Sequence, residues 1–181
     1  MGIATARPGA VKQLHLIRHA KSSWDCPSLD DRQRPLNKRG QRASVLMGTA
    51  MSLHLKDTPA VFVSSAVRAQ HTLKGVVSGW PALERARSTT DERLYTFDAH
   101  DLIAWLSEAD DCLDHMAVIG HNPALSALAR LLYPQLTRAR LPTAAWLWLS
   151  FDNVSWRSVV DSPEKAELVG LYTPKNLAEQ Q

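Results

Sequence analysis

The chain lacks most of the usual signatures of metal, nucleotide, membrane and nucleic-acid proteins. Its only cysteines, Cys26 and Cys112, fall at no metal or redox spacing. They read as two free thiols in a reducing compartment, not as part of a disulfide framework. Cys26 sits in Trp24-Asp25-Cys26-Pro27-Ser28, without the phosphate-cradling loop that a cysteine nucleophile needs. No apolar run approaches the roughly 18 residues of a membrane span. Residues 1–12 carry Arg7 and Lys12 but no apolar core of a signal peptide. There is no Walker A loop and no G-x-G-x-x-G. His15, His54, His71, His100 and His115 share no ligand spacing with a cysteine or carboxylate, so neither a metal nor another cofactor is expected. Lysine and arginine are spread along the chain and form no basic stripe with interleaved aromatics. That argues against a nucleic-acid partner. A cytoplasmic protein with no membrane partner is the expectation.

What remains is an ordinary globular composition. The 181 residues are 45% apolar and 22% charged. That is enough chain for one well-cored domain, read as 13–181 after a flexible leader, 1–12. The formal charge of +3 and pI near 9.0 suit an anionic substrate.

Hydrophobic periodicity sets the elements. Gln13–Ile17, Ala60–Ser64 and Met116–Ile119 are short apolar runs of the kind buried on both faces of a parallel sheet. Between them lie helical patterns. One is capped by Asn37 and carries Ala43, Leu46, Met47, Ala50, Met51 and Leu55. Others run over 67–77, over 100–108, and from Asn122-Pro123 to about Tyr133, with Asn122 as the expected cap and Pro123 at the first helical position. Residues 86–90 read as a short edge strand. Ala144–Phe151 and Leu168–Tyr172, with a turn signal at Asp152-Asn153, read as two strands forming an antiparallel edge. The segment around Trp156 has no clear pattern. Strands alternating with helices predict an α/β fold, a three-layer α/β/α sandwich with a mostly parallel central sheet.

The three central runs share one feature. Each delivers a basic group at or just past its C-terminal end: Arg18 and His19, then Arg68, then His121. In an open α/β sheet those ends converge on the ligand crevice. Two arginines suit phosphoryl oxygens, because the guanidinium is planar, always charged and able to pair bidentately. They would also disfavour a further positive charge and so keep His19 neutral and nucleophilic. A hydrogen bond from one ring nitrogen to a backbone carbonyl would aim the other at phosphorus. His121, beside a helix start, would donate to the phosphoryl oxygens. Glu92 is the candidate acid for a leaving group, with Asp25, Asp30 and Asp31 as rivals. Lys21, Ser22 and Asn122 flank the two histidines and are the candidate substrate-binding residues. Arg32, Arg34, Lys38, Arg39 and Arg42 read as surface salt-bridging residues.

Together these residues resemble the histidine phosphatase superfamily, whose members include phosphoglycerate mutases. Arg18-His19 matches its Arg-His signature, with Ala20 where many members have glycine. Ser65, Arg68-Ala69 and Thr72 resemble the second motif, with Ser65 in place of a common proline. Gly120-His121-Asn122-Pro123 resembles the third, and Leu36-Asn37-Lys38-Arg39-Gly40 resembles the helix entry after the first. Leu16 to Asp25 and the ending Tyr172-Thr173-Pro174-Lys175-Asn176-Leu177 are similar to the SixA-type phosphohistidine phosphatases. The resemblance implies a phosphoglycerate-mutase-like fold and a metal-independent phosphatase. It makes His19 the phosphorylated residue, with Arg18, Arg68 and His121 completing the pocket and Glu92 as the superfamily's acid. The implied partner is a phosphorylated protein, such as a phosphohistidine-bearing carrier or a phosphorelay domain in signal transduction. A small phosphate ester (a sugar phosphate or nucleotide) is the alternative, and a non-catalytic phosphoprotein-binding module is a lesser one.

Overall fold

The computed structural model describes residues 11–137, 140–152, 155–162 and 166–179. Most of the expected leader, and Asn153 of the turn signal, lie outside these described residues. Six strands form one sheet: β1 (Lys12–Arg18), β2 (Ala60–Ser64), β3 (Ser88–Asp91), β4 (His115–Gly120), β5 (Trp146–Phe151) and β6 (Ala166–Tyr172). Their order is β3-β2-β4-β1-β5-β6. The first four strands in that order pair in parallel. β5 runs antiparallel to both β1 and β6, which gives the expected antiparallel edge.

Alternation along each strand feeds two separate cores. Leu14 and Leu16 of β1, Met116 and Val118 of β4, and Leu147 and Leu149 of β5 meet α3 (Ala99–Ser107), α4 (Ala124–Leu132) and α5 (Trp156–Asp161). Ile17, Val61, Val63, Ala117, Ile119 and Trp146 face the other way, onto α1 (Lys38–His54), α2 (Val67–Gly79) and α6 (Pro174–Ala178). The molecule is therefore a three-layer α/β/α sandwich with helices on both faces of a mostly parallel sheet. No helix among the described residues is long and apolar enough to cross a membrane.

α1 begins where its sequence dictates. The Asn37 side chain accepts from the Gly40 amide at 2.8 Å, the expected N-cap. Gly40 also packs directly against the backbone of Lys21, two residues past His19, and a Cβ there would collide with the Lys21 carbonyl. Asn37 N–H donates to that same carbonyl at 3.0 Å. The helix entry thus buttresses the segment after β1. Gly40→Ala is expected to cost about 1–3 kcal/mol, as overpacking does, read as a lower denaturant midpoint at unchanged slope. An unchanged midpoint would mean that this contact is not tight.

The structure resolves one segment that the sequence leaves without a pattern and differs from one local expectation. The segment around Trp156 is a short helix, α5. Ser155 caps it by a reciprocal capping box, and the Trp156 indole donates to the Leu113 carbonyl at 2.8 Å. α4 starts at Ala124, with Pro123 as its cap residue, so Asn122 does not cap it. The Asn122 side chain is drawn elsewhere, donating to the Leu141 carbonyl at 2.9 Å and accepting from Ser126 Oγ at 2.8 Å. Leu141, from the segment before β5, and Ser126, within α4, hold this side chain in place of local capping.

Candidate active site

Because β2, β4 and β1 are neighbours in that order, the basic groups at their C-terminal ends lie side by side. The backbone ties them together. His19 N–H donates to Gly120 O at 3.0 Å, joining the ends of β1 and β4. Ala20 N–H donates to Thr72 Oγ1 at 2.9 Å, and that hydroxyl donates to Arg68 O at 2.7 Å, joining the same segment to α2. Ala144 adopts a left-handed conformation with φ of 59°. Its amide reaches the carbonyls of both Arg18 and His19, at 3.1 and 3.2 Å. A non-glycine residue in that region costs on the order of 1–2 kcal/mol, offset here by contacts that brace the turn carrying His19.

His19 is 9% exposed. Its Nδ1 lies 2.8 Å from the Ala20 carbonyl. A carbonyl only accepts, so Nδ1 carries the proton and Nε2 of the neutral ring holds a lone pair. Burial, with Arg68 and Arg18 adding to it, lowers the His19 pKa to about 4, although the Ala20 carbonyl and Asp31 pull the other way. The His121 ring lies 5.0 Å from that of His19. Its Nε2 is 2.8 Å from Ser64 Oγ at the end of β2. That hydroxyl also accepts from the Ala66 amide at 3.4 Å, and among the described residues its own proton has no acceptor other than His121 Nε2, so the Ser64 O–H is assigned as the donor to that nitrogen. Nδ1 is then the protonated nitrogen of His121. It is buried and has no hydrogen-bond partner among the described residues. Burial, then electrostatic coupling to the His19 ring and the charge of Arg68, push the His121 pKa down to about 3. Phe97 and Tyr95 wall the ring, with centroids 5.7 and 5.4 Å away.

Arg18 donates to the Leu141 carbonyl at 2.8 Å, while its Nε is buried without a partner among the described residues. Arg68, 3% exposed, turns both terminal nitrogens toward Asp31. So the structure brings together two arginines and two neutral histidines, and two of these four residues keep a buried donor unpaired. An anion with several oxygens matches that set.

The other expected residues lie around this cluster in different roles. Glu92 stands at the rim, its side chain 71% exposed, paired with Arg32 and accepting from Ser65 Oγ at 2.9 Å. Ser22 Oγ accepts from Arg34 at 3.0 Å, and the Lys21 side chain is exposed. Asn122 is held to Leu141 and Ser126, as described. Asp25, Asp30 and Asp31 are all exposed, and of the three, Asp31 pairs with Arg68 in the cluster. Arg34, expected at the surface, is buried and lies 3.2 Å below the centre of the exposed Trp24 ring. Sequence reasoning missed Ser64 and Tyr95 outright. It also kept Asp31 only as one of several loop acids, because nothing local marks which one folds inward.

Another buried histidine lies midway along β1. His15 Nδ1 accepts from the Trp146 indole at 2.8 Å, and burial lowers its pKa well below the ordinary value. In the unfolded chain His15, His19 and His121 take up protons as pH falls through about 6.5. In the folded chain His19 and His121 resist until about 4 and 3. Their contribution to stability is therefore complete above that upper value and is lost progressively as pH falls below it. The melting temperature is expected to drop between pH 7.5 and pH 5, and a flat or rising profile would contradict neutral burial of these rings.

No family model matches the chain. It is 30% identical over 168 residues to Rv1276c, an uncharacterised Mycobacterium tuberculosis protein, covering 88% of this chain and all of that protein. Its fold superposes on a protein named as a phosphohistidine phosphatase SixA from Nakamurella multipartitia, with TM-score 0.76, 23% identity, and 93% and 99% of the two chains covered. A protein histidine phosphatase SixA complexed with tungstate gives TM-score 0.74 at 23% identity, covering 91% and 99%.

Proposed function

This chain belongs to one family with Rv1276c and has a SixA-like fold, and we propose that it is a histidine phosphatase that hydrolyses phosphohistidine on a protein substrate through a covalent phosphohistidine on His19. The observation that carries this reading is the His19 ring. It is neutral, fixed by the Ala20 carbonyl through Nδ1, and set beside Arg18, Arg68 and His121.

The chemistry runs in two steps. His19 Nε2 attacks phosphorus as the substrate's P–N bond breaks, and the bonding electron pair returns to the substrate imidazole. If the other nitrogen of that ring already carries a proton, the imidazole leaves neutral and needs no acid. Arg18, Arg68 and the His121 Nδ1–H meet the charge spread over the equatorial oxygens. Water then attacks the phosphoryl group on His19, releasing inorganic phosphate and regenerating the neutral ring.

The state of the acids supports a P–N substrate over an oxygen ester. Glu92 is exposed and held by Arg32 and Ser65. Burial pushes the Asp31 carboxyl up, but hydrogen bonding and charge from Arg68, with Tyr95 and Arg34, outweigh it, and the net direction is down. The Asp31 carboxyl is held toward its ionised form and Glu92 lies at the exposed rim, whereas an alcohol leaving group needs a placed proton donor.

The test is a substrate panel run with a chelator, comparing a phosphohistidine protein with sugar phosphates and nucleotides. The same panel is applied to Glu92→Gln. Protein phosphohistidine should be hydrolysed fastest, and Glu92→Gln should change that rate by less than about threefold. A general acid is worth about 10²-fold or more. A loss of that size on phosphohistidine, or faster turnover of soluble esters, would favour the small-ester reading. Tight phosphate-dependent binding without turnover would indicate a binding module.

A further inference from the structure

We propose that Asp31 is a positioning residue of the phosphoryl site, holding the Arg68 guanidinium in the orientation in which it meets substrate. The proposal rests on the reading of Arg68 as a phosphoryl-binding arm. Arg68 sits in the first turn of α2, buried, and its long side chain is held at its end by Asp31. Nη1 donates to the Asp31 main-chain carbonyl, and Nη2 donates to Asp31 Oδ2 at 2.7 Å. The same Oδ2 accepts from the Tyr95 hydroxyl at 3.0 Å, and Oδ1 accepts from Arg34 Nη1 at 3.3 Å. Arg34 is anchored in turn on Ser22 Oγ at 3.0 Å and the Ser23 carbonyl at 3.1 Å. One carboxylate thus receives donors from α2, from its own loop and from the turn after β3.

A guanidinium has five N–H donors. Asp31 engages one on each terminal nitrogen, and the others remain for an oxyanion. An unanchored arginine would have to be ordered by the substrate, at the cost of its rotamer entropy. A carboxylate beside a phosphate site also repels the incoming anion. Tolerating that repulsion makes sense if the carboxylate organises the cation. The downward shift of the Asp31 carboxyl argues against its acting as the proton donor. A third role, a plug that competes with phosphate for Arg68, makes the opposite prediction for its removal.

Among the described residues, the charged and titratable groups facing His19 are Arg68, Arg18, Asp31 and His121. Asp31 is the acid among them that favours the protonated ring. Loss of its charge alone should therefore move the acid limb of the activity profile to lower pH.

The experiment compares Asp31→Ala and Asp31→Asn with the unaltered full chain. Tungstate affinity is measured by calorimetry, and phosphohistidine hydrolysis is measured across pH. Asp31→Ala should bind tungstate about tenfold more weakly and lose about 100-fold in kcat/KM, the scale of a small misplacement of a catalytic group. Asp31→Asn keeps an acceptor oxygen for Arg68. It should recover to within about fivefold of the unaltered chain, with its acid limb shifted down. Tungstate binding by Asp31→Ala that equals or exceeds that of the unaltered chain would overturn the proposal. So would an Asn variant as impaired as Ala with an unmoved acid limb, the pattern of a purely structural role. The tungstate arm does not depend on which substrate is turned over. A chain that hydrolysed no phosphohistidine would refute the proposed function while this arm still decided the role of Asp31.

Discussion

His19→Ala is expected to lose phosphohistidine hydrolysis by about 10⁴-fold or more, the scale seen when a covalent nucleophile is removed, while keeping its fold and its melting temperature within a few degrees. The ring lies at the end of β1, touching solvent on one side and the Ala20 carbonyl on the other. Its removal deletes little packing, because the apolar residues before it, Leu14, Leu16 and Ile17, belong to the two cores. Activity and stability should therefore separate. Residual activity within tenfold of the unaltered chain would place the nucleophile elsewhere. Loss of both activity and fold would be uninformative in this variant alone. His19→Asn, closer in shape and still able to donate to the carbonyl, is the control, and it should be folded and equally inactive.

Arg68→Lys is expected to lower kcat/KM by about 10²-fold, and Arg68→Ala by about 10³-fold, the range for removing a donor aimed at transition-state charge. Lysine keeps the positive charge, so the size of its deficit isolates geometry from charge. An ammonium cannot hold both the carbonyl and the carboxylate of Asp31 and still present a planar fork to phosphoryl oxygens. The loss should fall mainly on kcat, because the demand is greatest in the transition state. A lysine variant with unaltered kcat/KM would show that Arg68 supplies only a field.

Much of this arrangement could be read from residues in order. β1, β2 and β4 are short apolar runs because both faces of a central parallel sheet are buried, and each run stops abruptly at a polar group that marks the crevice end. Asn37 was legible because its capping bond is local. The features that escaped depend on partners far along the chain. Asn122 reads as a helix cap until Leu141 is placed beside it. Asp31 is indistinguishable from Asp30 until a 3-10 turn at Asp31–Gln33 aims one of them at Arg68. Arg34 reads as a surface charge in a basic stretch, yet it is buried under Trp24. Ser64 ends a strand like any small residue, and only the neighbouring β4 shows that its hydroxyl sets the tautomer of His121. α5 is too short for a periodicity, and it forms around one buried indole held by Leu113.

The central claim is that phosphorus passes through His19. The direct measurement is to mix the chain with a phosphohistidine protein carrying labelled phosphate, quench in alkali within a single turnover, and map the label by peptide and by ring nitrogen. The account predicts an alkali-stable, acid-labile label on the peptide containing His19, attached at Nε2 and absent from His19→Ala. Label on another residue, or turnover with no labelled enzyme at any time, would contradict it.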